Sequence, residues 1–222
     1  MAGLSAAVVR ANADRVRADI AGAARRGGRD PDEVDLLAAV KYVEAEDLGA
    51  LAEAGITLLG ENRAQELEAK RAAYGDRFRW HFIGQLQSRK VRQIVPLVEL
   101  IHSVASDSAL RQLERHAPPE TEVLVEVNVA GEEGKAGIAP AELGAFIARC
   151  PVRVSGLMTM PPFAADPEAS RPHFAALREL AAAHGLHHLS MGTSQDYAVA
   201  VEEGATIVRI GSVLFQQAPE QG

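Results

Sequence analysis

A lysine closes the first apolar run of this chain, and two small-residue turns stand near its far end. The run, Val34 to Lys41, is VDLLAAVK. A lysine placed there can lay its stem along apolar atoms and keep its ammonium in water. Alternatively it is a partly desolvated amine of lowered pKa, which is what attack on a carbonyl to form a Schiff base requires. From this stretch alone both remain open. Near the C-terminus, HLSMGTSQDYAVA sets Ser190, Gly192, Thr193 and Ser194 at a strand-to-helix turn, whose free amides favour an anion. VRIGSVLF repeats the device with Gly211, which allows close backbone approach, and Ser212, which offers a hydroxyl. Arg209 lies two residues before Gly211, so strand alternation turns both to one side. There the arginine could pair with a phosphate, with another acceptor on the same ligand, or with a structural carboxylate.

These groups need elements that bring them together. Strand-like runs begin near Asp35, Thr57, Arg79, Leu100 and Glu122, about 22 residues apart, and three more follow at Val154, His187 and Thr206. Helix-like segments at 44–54, 63–73, 86–97, 108–116, 140–148, 166–184 and 194–203 separate them. Eight strands alternating with helices predict an α/β fold, a single (β/α)8 TIM barrel. An open doubly wound sheet would carry a glycine fingerprint after its first strand, and none is present. Val9, Ala13, Val16, Ile20 and Ala23 recur at helical spacing, which predicts an extra N-terminal helix over about 4–26. No Pro- or Ser-rich linker interrupts the chain, so 1–222 is read as one domain.

In a barrel the chemistry sits at the C-terminal strand ends, and phosphate sits after strands seven and eight. The predicted strand ends are polar: Lys41, then Glu61 and Asn62, then His81 to Gly84, Ser103, Asn128, Met158 with Met160, Ser190 to Gly192, and Arg209 to Ser212. Singly these have ordinary explanations, Asn62 as a helix cap and His81 as a hydrogen-bonded core histidine. Together they converge on one mouth. GEEGKAG at 131–137 is a barrel-top loop and a candidate lid.

Composition narrows the function. A hydrophobic content of 47% and a charged content of 24% are those of a globular domain. The net charge of -7 argues against a nucleic-acid-binding surface. No apolar run approaches the roughly 18 residues of a membrane span. Cys150 is the only cysteine, which leaves no internal disulfide or cysteine zinc cluster and suits a cytoplasmic protein. Asp14 and Asp19 break the acid-poor pattern of a transit peptide.

A lysine on strand one and a phosphate cup across the barrel together suit a phosphorylated aldehyde held as an imine, a description pyridoxal 5'-phosphate fits. LLAAVK, LGENRAQE, WHFIGQLQSRK, VEVNVAGEEGKAGI, GLMTM and LSMGTSQDYAVAVEEGATIVRIGSVLF resemble the pyridoxal phosphate homeostasis protein family, in the family's order, over about 35–215. The resemblance implies a barrel similar to the N-terminal domain of alanine racemase and a cofactor held as a Schiff base on Lys41. It also implies a phosphate held by Ser190, Gly192, Gly211 and Ser212, Arg209 at the pyridine nitrogen, and Asn62, His81 and Met158 lining the ring and mouth. The implied role is to carry or buffer the cofactor, in support of vitamin B6 and amino-acid homeostasis, without catalytic residues or metal. The expected protein is a monomer that can hand its cofactor to apo pyridoxal-phosphate enzymes and has no membrane partner. Two enzymes compete with that reading: a pyridoxal-phosphate-dependent amino-acid racemase, and a phosphosugar isomerase with Glu61 as base. Arg89 stands where the family usually has asparagine, and Arg89, Lys90 and Arg92 are read as a solvated helix face.

Overall fold

The computed structural model describes residues 3–216. Its eight strands are β1 (Asp35–Ala39), β2 (Leu58–Glu61), β3 (Arg79–Phe82), β4 (Leu100–Val104), β5 (Glu122–Glu126), β6 (Arg153–Met158), β7 (His188–Thr193) and β8 (Ile207–Ile210). All pair in parallel and in chain order, and β1 also pairs with β8, so the sheet closes into the expected barrel. Around it run α1 (Ala6–Arg26), α2 (Leu48–Glu53), α3 (Ala64–Tyr74), α4 (Val91–Ile94), α5 (Asp107–His116), α6 (Leu143–Ala148), α7 (Arg171–Ala183), α8 (Tyr197–Glu202) and α9 (Ser212–Phe215).

The short strands alternate apolar residues between two packings. Leu37, Leu58, Leu100, Leu124, Met158 and Ile207 turn inward and fill the barrel, while most other buried side chains sit between sheet and helices. Gly60 makes room for Leu37, because a Cβ there would lie 2.3 Å from a Leu37 methyl. The predicted stripe of α1 is buried, and the helix packs against α2, α8 and α9. Its buried Asn12 donates from Nδ2 to the Leu214 and Gln216 carbonyls, at 3.1 and 2.9 Å, satisfying acceptors at the end of α9.

Boundaries differ from the sequence reading where backbone chemistry intervenes. β1 stops at Ala39, so Lys41 lies in the following turn and not on the strand. The run VRIGSVLF is not one strand: Gly211 breaks it at φ -114°, ψ -96°, and Ser212 opens α9. The helix expected over 86–97 is one α-helical turn between two 3₁₀ turns, the second containing Pro96, which has no amide to donate. GEEGKAG is fastened at its base. Asn128 exchanges two hydrogen bonds with the Glu132 backbone at 2.8 and 3.2 Å, and Val127 bridges Ile138. No described helix is long and apolar enough to cross a membrane.

Candidate functional site

A cavity of about 690 Å³ opens at the C-terminal ends of β1, β2, β7 and β8. Lys41, Asn62, Arg209, Gly211 and Ser212 line it together with Thr193 and Ser194. Lys41 is exposed at the mouth, its ammonium 5.1 Å from the centroid of the Tyr42 ring, so burial does not strip it of water. Its backbone is anchored from below. The ammonium of buried Lys70, on α3, donates to the Val40 carbonyl at 2.9 Å and to Glu61 Oε2 at 2.6 Å. The other Glu61 oxygen accepts the amides of Asn62 at 2.7 Å and Arg63 at 3.3 Å. Glu61 is thus fully engaged beneath the loops. It is not a base facing the cavity, which removes the support for an isomerase.

Asn62 is held ready. Gly84 lets its backbone come close, since a Cβ on Gly84 would stand 2.2 Å from the Asn62 carbonyl oxygen. Asn62 Oδ1 is buried without a hydrogen-bond partner among the described residues, a cost that a ligand group would remove. Gly84→Ala is therefore expected to push Asn62 out of place and destabilise the fold by about 1–3 kcal/mol. Chemical denaturation measures the loss, and an unchanged midpoint would show that the loop yields freely.

Behind the cavity a polar chain runs into the barrel. Arg209 is buried and makes no ion pair among the described residues; it donates to Ser190 Oγ at 2.5 Å, to the Thr159 carbonyl at 3.0 Å and to Met160 Sδ at 2.8 Å. Ser190 Oγ meets His102 Nδ1 at 2.8 Å, and His102 Nε2 meets His81 Nδ1 at 3.0 Å. Because arginine only donates, Ser190 accepts from it and keeps its own proton for His102. His102 then donates from Nε2 to His81, so each link of the chain pairs one donor with one acceptor while both rings are neutral. Burial, the first cause, and nearby Arg79 and His188 lower the His81 pKa to about 3. Burial, reinforced by His81 and Arg209, holds His102 well below its usual value. Burial also lowers Arg209 to about 10, with Asp196 and Glu126 opposing, which keeps it charged at neutral pH.

Both histidines have depressed native values, so the unfolded chain binds more protons below about pH 6.5 and stability falls as pH drops through 6.5. Each contributes a slope approaching about 1.4 kcal/mol per pH unit. Denaturation between pH 7.5 and 5 measures it, and His102→Gln should flatten the curve.

Four predicted ligand contacts lie outside the cavity lining. Ser190 is fully buried and spent on Arg209 and His102, and His81 ends the same chain. Met158 fills the barrel interior. Gly192, at φ 89°, lies against α8, where a Cβ would stand 2.6 Å from that of Ala200. In their place Thr193 and Ser194 face the cavity. Ser194 Oγ accepts the Gly211 amide at 3.2 Å, and Asp196 accepts the Thr193 amide at 2.8 Å, which joins and braces the two turns. Neither Lys70 nor His102 is among the candidates the strand ends offer. The signal for Lys70 is its position three residues after Leu67 on the buried stripe of a helix.

The family model described as "Alanine racemase, N-terminal domain" matches residues 11–219. A pyridoxal phosphate homeostasis protein of Aquifex aeolicus is 43% identical over 215 residues, covering 90% of this chain and 94% of that one. The chain belongs to the pyridoxal phosphate homeostasis protein family. Two solved structures set the barrel of this family member among experimental relatives. A protein of Bifidobacterium adolescentis described as unknown superposes with a TM-score of 0.85 at 33% identity, over 95% of each chain. PipY of Synechococcus elongatus, solved with PLP bound, superposes with a TM-score of 0.75 at 33% identity, over 87% of this chain and 100% of that one.

Proposed function

We propose that this protein binds pyridoxal 5'-phosphate in the cavity and carries or buffers it, with Lys41 holding the aldehyde as a Schiff base. The observation that carries the reading is the convergence on one cavity of a primary amine with a buried guanidinium and a buried amide oxygen that, among the described residues, have no carboxylate and no hydrogen-bond partner respectively. The cavity volume suits a small phosphorylated aldehyde. Gly211 adds a place for close approach, because a Cβ there would stand no nearer than 3.7 Å to any neighbour and would take up room beside the turn. The bound cofactor of PipY supports the same reading by kinship.

When bound, pyridoxal phosphate supplies an aldehyde for covalent capture and a ring that can accept electrons. This chain's residues favour the first use. Lys41 provides the amine, Gly211 and Ser212 the backbone and hydroxyl of a phosphate cup, and Asn62 an acceptor at the rim. Arg209, which can only donate and stays charged, would leave a facing pyridine nitrogen unprotonated and so weaken the ring as an electron sink. That suits cofactor storage, and release to apo pyridoxal-phosphate enzymes, better than carbanion chemistry. The expected setting is the cytoplasm and the expected consequence is support of vitamin B6 and amino-acid balance.

Racemisation remains the competing reading on one observation: Tyr42 brings a phenol to the cavity beside Lys41. The Tyr74 and Tyr197 hydroxyls are engaged by the Gly49 amide and by Asp19. Visible absorbance during titration with pyridoxal phosphate, followed by borohydride reduction and peptide mass analysis, tests the proposal; a chain that takes up no cofactor refutes it. Chiral analysis after incubation with single L-amino acids separates carrier from racemase, and restored activity of an apo-enzyme mixed with the loaded protein shows delivery.

A further inference from the structure

A second concavity, of about 580 Å³, lies on the far side of Asn62, between the first turn of α3 and the segment leading into α4. Its lining carries three cations, Arg63, Arg89 and Lys90, and no carboxylate. On a chain of net charge -7 that is an unusual concentration. None of the three makes an ion pair among the described residues, as Arg26, Arg79, Arg153 and Arg171 do. Glutamines aim two of the cations. Gln87 Oε1 accepts from Arg89 Nε at 3.1 Å, and Gln93 Oε1 accepts from Lys90 Nζ at 3.1 Å. Gln93 in turn donates to Glu68 Oε2 at 2.5 Å, and Glu68 is not part of the lining. The cluster expected to be a solvated helix face is therefore partly a concave one: Arg89 and Lys90 line it and Arg92 does not.

We propose that this concavity is a second ligand site, for a phosphate dianion either free or carried on a small organic molecule. Three unpaired cations around a recess focus a positive potential, and the flanking amides give it directed donors. The recess shares Asn62 with the pyridoxal phosphate cavity, so a ligand in one position acts on a side chain lining the other. Occupancy of the second site then changes affinity at the first, and by linkage the reverse holds. Only this coupling rests on the pyridoxal phosphate reading; phosphate binding stands apart from it.

The test is titration of the full chain, without pyridoxal phosphate, with inorganic phosphate and separately with glycerol phosphate at constant ionic strength. Side-chain amide resonances are followed by NMR. Saturable shifts at Gln87 and Gln93, weakened at least about tenfold in Arg89→Gln/Lys90→Gln, are expected. Tighter binding of the ester would identify an organic source, and equal binding the free ion. Linear shifts, meaning an adventitious ion only, shifts confined to Gln195 and Gln216 of the other cavity, or an unaltered response in the double variant would overturn the site. Arg63→Gln gives an independent check, since it alters the opposite wall. Repeating the pyridoxal phosphate titration with the second site saturated measures coupling: a change of at least about fivefold that Asn62→Ala removes is expected, and none would refute it. Saturable phosphate binding by a chain that takes up no pyridoxal phosphate would sink the functional reading and leave this site standing.

Discussion

Replacing Lys41 with alanine is expected to abolish the borohydride-stable mass increase and to weaken pyridoxal phosphate binding at least about a hundredfold, close to 2.7 kcal/mol. The residue is exposed at the cavity mouth and serves no packing role, so denaturation should find the variant as stable as the parent to within about 0.5 kcal/mol. This separation of effects makes the experiment sharp. Residual noncovalent binding should survive, because Arg209, Gly211 and Ser212 still face the cavity. Label that persists at another lysine, or binding that does not change, would move the covalent anchor away from Lys41.

The opposite pattern is expected for Lys70→Met, which should destabilise the fold by about 3–5 kcal/mol by leaving the buried Glu61 carboxylate without its partner. For a domain of this size that lowers the melting temperature by very roughly 6–20 °C. Glu61 also holds the Asn62 and Arg63 amides, and Lys70 holds the Val40 carbonyl, so one ion pair joins the loops that carry Lys41 and Asn62. Binding should weaken even at temperatures where the variant is folded. Glu61→Gln/Lys70→Met should recover more than half of the lost stability, since a neutral amide can still accept from the two backbone amides and no charge is left unpaired. A single variant as stable as the parent would show that water reaches Glu61.

Much of the barrel was legible because its signals are local. Each strand is a short apolar run bounded by turn residues, and the stripe of α1 repeats at helical spacing over the whole element. Lys41, Arg209, Gly211 and Ser212 could be assigned to one mouth because a closed parallel barrel places all its strand ends there. The cavity lining was less legible. Ser190 and Gly192 precede Thr193 and Ser194 in one run of small residues, and composition does not say at which residue the strand dips below the floor. Arg209 decides it, by reaching inward to Ser190 and drawing that hydroxyl into the chain that ends at His81.

By itself the sequence determined the barrel, the placing of Lys41 and of the turns after the last two strands at one mouth, and the family. Periodicity and turn chemistry are properties of neighbouring residues, and the family's motifs are stretches of consecutive residues. Tertiary structure alone decided which polar groups face the cavity and which are spent on one another. Glu61 meets Lys70 nine positions away, at a distance set by how α3 packs back on β2, and Ser190 meets His102 across 88, at a distance set only when the ring closes. Whether Arg89 and Lys90 lie on a convex or a concave surface was settled in the same way, by the packing of α3 beside α4, which follows them.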